Sequence, residues 1–165
     1  MGVRAVNSPT KPLYPSILLA LLAFLLDRGQ KFFQIELQGW RGGEVVPVTG
    51  FFDYVLVWNT GISYGLLSSV PVWALGLVMA AAILALGIWW FRTSAPLVRA
   101  GLALCIGGAL SNALDRLLYG AVADFFHFHW QGWSFYIFNF ADAAITLGVM
   151  LLILDLLGIG RRKSA

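Results

Sequence analysis

The sequence predicts an all-α membrane protein: one domain over residues 1–165, with four transmembrane helices, a small β-containing lobe between the first two and an interfacial segment between the last two. Hydrophobic residues make up 59% of the chain and charged residues 12%, about half the charged share of a soluble domain. A soluble fold of 165 residues leaves too much surface exposed to hide that much apolar area. Four stretches also reach the roughly 20 apolar residues that cross a bilayer.

The predicted helices cover about residues 14–33, 70–91, 97–119 and 137–158. The first could instead be a cleaved signal peptide, with Arg4 and Lys11 as its basic region. A charged run from Asp27 to Lys31 follows its apolar core, where a small-x-small cleavage site would stand. We therefore expect this stretch to be retained as a helix.

Basic residues predict the orientation. With four spans both termini lie on one side, and that side carries seven basic residues: Arg4, Lys11, Arg92, Arg99, Arg161, Arg162 and Lys163. The opposite side carries four: Arg28, Lys31, Arg41 and Arg116. The positive-inside rule places the termini in the cytoplasm. Seven of the eight acidic residues, all except Asp155, then fall at the outer side, so the chemistry is expected to face outward.

Two connecting segments differ from the helices. Residues 34–69 contain several glycines, Pro47 and short β-prone runs, which predict an extracytoplasmic lobe because open strand edges cannot face lipid. Residues 125–138 hold eight aromatic side chains. Tryptophan and tyrosine prefer the headgroup level, so this segment is predicted to lie on the outer leaflet.

Several functions are excluded or disfavoured. Cys105 is the single cysteine, so an internal disulfide and thiol–disulfide exchange are excluded. The dispersed basic residues lack the dense face of a nucleic-acid binder. His127 and His129 raise a zinc alternative, but a third ligand and an open position would be needed. We interpret them as part of the aromatic interfacial segment and expect no metal.

Polar residues at the outer helix ends are informative, because a charge in the bilayer costs at least about 2.5–3.5 kcal/mol. Asp27 and Lys31 are four residues apart and could pair on one helix face. Asn112, Asp115 and Arg116 also share a face. The first pair could be a helix end that reaches the interface or part of a site, and the second group could be a buried network that locks helices together or part of a site.

Asp124 and Asp142 are candidate catalytic residues. They are eighteen residues apart on separate elements, and Asn139 precedes Asp142 by three. Two close carboxylates at low dielectric cannot both ionise, so they share a proton and can activate water. Asn59-Thr60-Gly61 is interpreted by itself as a turn.

Taken in order, these segments resemble the bacterial lipoprotein signal peptidase (signal peptidase II) family from about residue 14 to residue 158. The matching segments are Leu26-Asp27-Arg28-Gly-Gln-Lys31, Trp58-Asn59-Thr60-Gly61, Gly107 to Arg116, Val122-Ala-Asp124-Phe125 and Phe138-Asn139-Phe140-Ala141-Asp142. Ile62-Ser63-Tyr64 departs from the family's Ala-Ala-Phe, which leaves the shape of that wall in doubt.

The resemblance implies an intramembrane aspartic endopeptidase of the inner membrane. Asp124 and Asp142 would be its catalytic dyad, and the enzyme would cut a prolipoprotein before its diacylglyceryl-modified cysteine. The residues implied to hold substrate or the dyad are Asp27, Lys31, Asn59, Gly61, Asn112, Arg116 and Asn139. The family uses no metal or organic cofactor, contacts membrane lipids and is inhibited by the cyclic peptide globomycin.

Two other classes of function were weighed. A transporter or proton-conducting subunit should carry polar residues at several depths, whereas between Asp142 and Asp155 in the fourth helix the sequence has only Thr146. A non-catalytic scaffold would use the same polar groups as contacts between helices. The one-sided cluster favours the peptidase.

Overall fold

The computed structural model describes residues 13–61 and 72–159. The elements are, in order, α1 (Tyr14–Lys31), a short π-helix (Phe32–Leu37), β1 (Val45–Thr49), β2 (Phe52–Asn59), α2 (Val72–Arg92), α3 (Pro96–Tyr119), β3 (Val122–Trp130), β4 (Trp133–Ser134) and α4 (Phe140–Leu156). Each predicted helix is present with ends shifted by a few residues. Ile62, Ser63 and Tyr64 lie outside the described residues, as do the basic residues predicted near both termini.

Local sequence explains the ends of α3. Pro96 occupies the start of the helix, where its missing N–H costs no hydrogen bond. Gly120 ends the helix with φ +73°, the left-handed conformation that glycine adopts most easily. Only Ala121 separates Gly120 from β3, so the end of α3 fixes where the strand that carries Asp124 begins.

Helix α3 is central, with α1 and α4 packed closely against it. A Cβ on Gly107 would fall against the Ala20 carbonyl of α1, and one on Gly108 would lie 2.5 Å from the Ala141 carbonyl of α4. Small residues at such crossings let two backbones approach each other. The close approach brings the polar ends of α1 and α4 to the polar end of α3.

The β strands form one antiparallel sheet in the order β1-β2-β3-β4. Its core is a cluster that contains Ile35, Leu56 and Phe125. Much of the aromatic segment after α3 therefore lies in strands β3 and β4, and β3 pairs with β2 of the lobe. Its position at the outer leaflet stays a prediction, while the strand pairing was not predicted; aromatic residues favour strands, and these rings pair across strands, as Phe52 does with Phe128.

Large apolar side chains are exposed on the outer faces of the helices. Leu25 of α1 is 61% exposed and Leu77 of α2 is 64% exposed. Within the described ranges, two helices are long and apolar enough to cross a membrane by length and composition, Trp73–Arg92 and Pro96–Tyr119. Apolar faces of this kind suit a lipid environment better than water.

Candidate active site

Asp124 and Asp142 line the same cavity, whose volume is about 740 Å³. Asp124 lies in β3 and is 2% exposed. Asp142 lies in the first turn of α4. The remaining wall combines the 59–61 segment, Arg116 and apolar side chains of α2 and α4. The structure therefore brings together the two carboxylates that the sequence singled out.

Asn139 connects the two carboxylates. Its Nδ2 donates to Asp124 Oδ1 at 2.7 Å, and its Oδ1 accepts from the backbone N–H of Asp142 at 2.9 Å. The Asp142 carboxylate accepts in turn from the backbone N–H of Asn139, which completes a capping box at the start of α4. Asp142 thus has a structural role as part of the helix cap, in addition to facing the cavity.

Two further asparagines orient the carboxylates. Asn59 Nδ2 donates to Asp124 Oδ2 at 3.1 Å, and Asn112 Nδ2 donates to Asp142 Oδ1 at 2.8 Å. Asn59 also accepts from the backbone N–H of Gly61, which forms the predicted turn. A carboxylate oxygen accepts hydrogen bonds from amide N–H groups. These contacts therefore fix the orientation of both carboxylates.

Arg116 lies on the cavity wall. One of its guanidinium nitrogens donates to the Gly61 carbonyl at 2.8 Å, so α3 is tied to the 59–61 segment. Its cationic group also lies in the electrostatic field of both Asp124 and Asp142. A guanidinium carries five N–H donors, and this arrangement leaves donors to contact a bound molecule.

Asp27 and Lys31 do not line the cavity. Both are fully buried behind it, where Lys31 Nζ lies 2.6 Å from Asp27 and 2.6 Å from Asp115. The ion pair predicted from the i, i+4 spacing is confirmed. A direct contact with substrate stays a prediction; together with Asn139, which is also fully buried, they lie where they support the residues that face the cavity.

This buried network holds the backbone on which each carboxylate sits. Asp27 Oδ1 accepts from the N–H of Ala141, the residue before Asp142, at 3.0 Å. Asp115 Oδ2 accepts from the N–H of Ala123, the residue before Asp124, at 3.1 Å. Lys31 joins the two acids, so one ammonium group stabilises both halves of the site.

The sequence analysis missed two members of the network. Ser111 Oγ donates to Asp27 Oδ2 at 2.6 Å, and Arg28 pairs with Asp115 Oδ1 at 2.5 Å. Ser111 is four residues before Asp115 and shares its helix face, a signal that could have revealed it. Arg28 contributed to the sequence analysis only as a basic residue that predicts membrane orientation. Its partner Asp115 lies on another helix and could not be predicted from local spacing.

The surroundings of Asp124 change its acidity. Burial first, and then the negative charge of Asp142, raise the pKa of Asp124 to about 7. Hydrogen bonds from Asn59 and Asn139 and the charge of Lys31 oppose this rise. A carboxyl group with such a pKa can hold a proton near neutral pH while a neighbouring carboxylate is ionised. The geometry therefore provides an acid and a base beside one cavity.

Comparisons with known proteins identify the family to which this chain is related. The family model described as "Signal peptidase (SPase) II" matches residues 19–158. A lipoprotein signal peptidase of Methylobacterium radiotolerans is 43% identical and covers 93% of this chain and 91% of its own length. One of Methylorubrum extorquens is 46% identical and covers 86% and 85%.

Two solved structures titled as bacterial membrane enzymes share the fold. One superposes with a TM-score of 0.80 at 28% identity and covers 92% of this chain and 94% of its own. The other has a TM-score of 0.75 at 29% identity, with coverage of 87% and 93%. The family match spans most of the chain, including both candidate aspartates. The chain therefore belongs to the signal peptidase II family and is a membrane peptidase.

Proposed function

We propose that Asp124 and Asp142 are the catalytic dyad of an inner-membrane aspartic endopeptidase that removes signal peptides from prolipoproteins. The bond cut would be the one before the diacylglyceryl-modified cysteine. One observation carries this proposal: two carboxylates from separate elements, one buried and one partly buried, line one cavity and are joined by Asn139. No cofactor is needed for this chemistry, because the pair itself supplies acid and base.

The dyad would act with one shared proton. The ionised carboxylate takes a proton from water as the water oxygen attacks the scissile carbonyl, and the protonated carboxyl group donates its proton to the carbonyl oxygen. The gem-diol then collapses: the newly protonated carboxyl group gives its proton to the leaving amine nitrogen, the C–N bond breaks, and the other carboxylate takes a proton from a gem-diol hydroxyl, which restores the shared proton. The two carboxyl groups titrate as a pair, so the proton belongs to the dyad as a unit.

The cavity walls suggest how substrate lies. Arg116 and the 59–61 segment offer polar contacts on one side, suited to a peptide backbone. Leu75, Val78 and Met79 of α2 offer an apolar wall. Within the described residues α2 packs on α3 but has no extensive contact with α4. A lateral opening between α2 and α4 would admit a lipid-modified peptide while its acyl chains stay in the bilayer.

The proposed topology has four spans with both termini in the cytoplasm. Helices α1 and α4 have 18 and 17 residues, which at 1.5 Å per residue gives lengths of about 26 Å. They fall slightly short of a ~30 Å core, and the π-helix extends α1 beyond Lys31. The sheet and the dyad would then lie near the outer leaflet, where water can reach them.

A processing assay tests the function. The purified chain is expected to cleave a diacylglyceryl-modified prolipoprotein immediately before the modified cysteine, and mass spectrometry of the products locates the cut. The unmodified precursor should be a poor substrate, and globomycin should block the reaction. A chelator should not abolish cleavage, because the dyad chemistry itself needs no metal. Cleavage at another position, or none by a correctly inserted protein, would contradict the proposal and favour a scaffold.

The pH profile provides a second prediction. With the pKa of Asp124 raised to about 7, the dyad keeps its proton below that pH and loses it above. We expect kcat/KM to fall about tenfold per pH unit above roughly pH 7. Asn59→Ala removes a hydrogen bond that lowers this pKa, so its alkaline limb should shift to higher pH. A wild-type profile that is flat up to about pH 9 would rule out this assignment.

A further inference from the structure

We propose that Asp53, His127 and His129 form a binding site for a divalent transition metal ion, with Zn²⁺ as the best match, on the sheet beside the cavity. Asp53 lies in β2, and both histidines lie in β3. One ligand atom from each residue can be chosen so that all three lie within 4.8 Å of one another. The sequence showed the His-x-His pair but gave no sign of a third ligand. The pairing of β2 with β3 brings Asp53 to that position.

The register of the sheet creates the cluster. Asp53 is directly opposite His127 in the β2–β3 ladder. His127 and His129 are two residues apart and therefore share one face of β3. Cross-strand neighbours have Cβ atoms about 5 Å apart, which brings the carboxylate between the two imidazoles. The dyad residue Asp124 is three residues away along the strand, about 10 Å.

The distances suit tetrahedral zinc. His127 Nδ1 lies 3.5 Å and His129 Nε2 lies 3.0 Å from Asp53 Oδ2. Two ligands that are each about 2.0–2.1 Å from a tetrahedral ion are separated by about 3.4 Å. Two imidazoles and one carboxylate favour zinc over calcium or magnesium, which prefer all-oxygen sites.

A hydrogen bond to Ser134 orients the His127 ring. The Ser134 hydroxyl donates to the Phe135 carbonyl, so its oxygen accepts from His127 Nε2–H at 2.7 Å. With Nε2 held by Ser134, Nδ1 is the ring nitrogen of His127 that faces the Asp53 carboxylate, at 3.5 Å from Oδ2. Metal-bound histidines are commonly oriented through their other nitrogen in this way.

His129 supports the metal site independently. Its Nε2 is buried and has no hydrogen-bond partner of suitable geometry among the described residues, although Asp53 Oδ2 is near. Buried polar nitrogens without partners are uncommon. A metal ion between the two atoms would satisfy both.

The site also has an approach from solution. The three side chains are 18–31% exposed, which leaves room for an ion to enter and for water to complete its coordination. His127 and Ser134 line the cavity as well as the cluster. A bound ion would therefore join β2 to β3 at the cavity wall and restrict the movement of that wall.

Metal titration tests the proposal. The full chain, purified in detergent with a histidine-free affinity tag, would be titrated with Zn²⁺ by calorimetry and with Co²⁺ by visible absorption. We expect one equivalent to bind, with visible bands typical of low-coordinate cobalt. His129→Gln and Asp53→Asn should each weaken binding by at least about tenfold, and Ser134→Ala by about tenfold through the orientation of His127.

Glu36→Gln is the matched control, because it removes an exposed carboxylate outside the cluster and should leave the affinity unchanged. The absence of saturable binding by the wild type would overturn the proposal. Equal affinity of wild type and His129→Gln would overturn it too. The titration does not depend on peptidase activity, so its outcome is independent of the proposed function.

Discussion

Replacing Asp124 or Asp142 with asparagine is expected to lower kcat for prolipoprotein cleavage by about 1,000-fold or more. Asparagine keeps the shape of the side chain and can still accept one hydrogen bond, but it cannot take up or release a proton in this reaction. Because the two acids act as a unit, the double variant should be little worse than either single variant. Single-turnover kinetics on purified protein measures the chemical step.

Asp155→Asn is the matched control for these variants. It makes the same chemical change at the other end of α4, away from the cavity, and should retain wild-type kcat. Equal membrane insertion and thermal stability of all variants would separate lost chemistry from lost folding. If either dyad variant kept more than about a tenth of wild-type activity with the same product, that residue would not be part of the catalytic pair.

Lys31→Met is expected to destabilise the protein by about 3–5 kcal/mol, the usual cost of removing one partner from a buried ion pair. Lys31 is fully buried and pairs with both Asp27 and Asp115, so its loss leaves buried negative charge behind. Those two acids hold the backbone N–H groups of Ala141 and Ala123. Activity should therefore fall together with stability.

Thermal unfolding in detergent measures this effect. Arg92→Met, which removes an exposed basic residue at the end of α2, is the control and should change the free energy of unfolding little. Adding Asp27→Asn to Lys31→Met should restore part of the stability, because one uncompensated charge is removed. A stability of Lys31→Met equal to wild type would mean that the network contributes nothing to folding.

Only part of the buried network's role could be predicted from the sequence. The i, i+4 spacing of Asp27 and Lys31 predicted their ion pair, because residues four apart on a helix are neighbours. Which face would meet the cavity could not be predicted, since that depends on how α1 rotates against α3. The close approach of the Ala20 backbone to Gly107 decides it, and it turns both residues inward.

The sequence by itself determined the four helices, the site's two aspartates and the asparagines around them, because apolar length, helical spacing and short motifs are local properties of a chain. Only the tertiary structure decided that the aromatic segment is a strand, that Asp142 caps its own helix and that Asp53 meets His127. Strand register over some seventy residues of intervening chain is fixed by packing of the whole sheet on its core. Contacts of that range become visible only when the chain is folded.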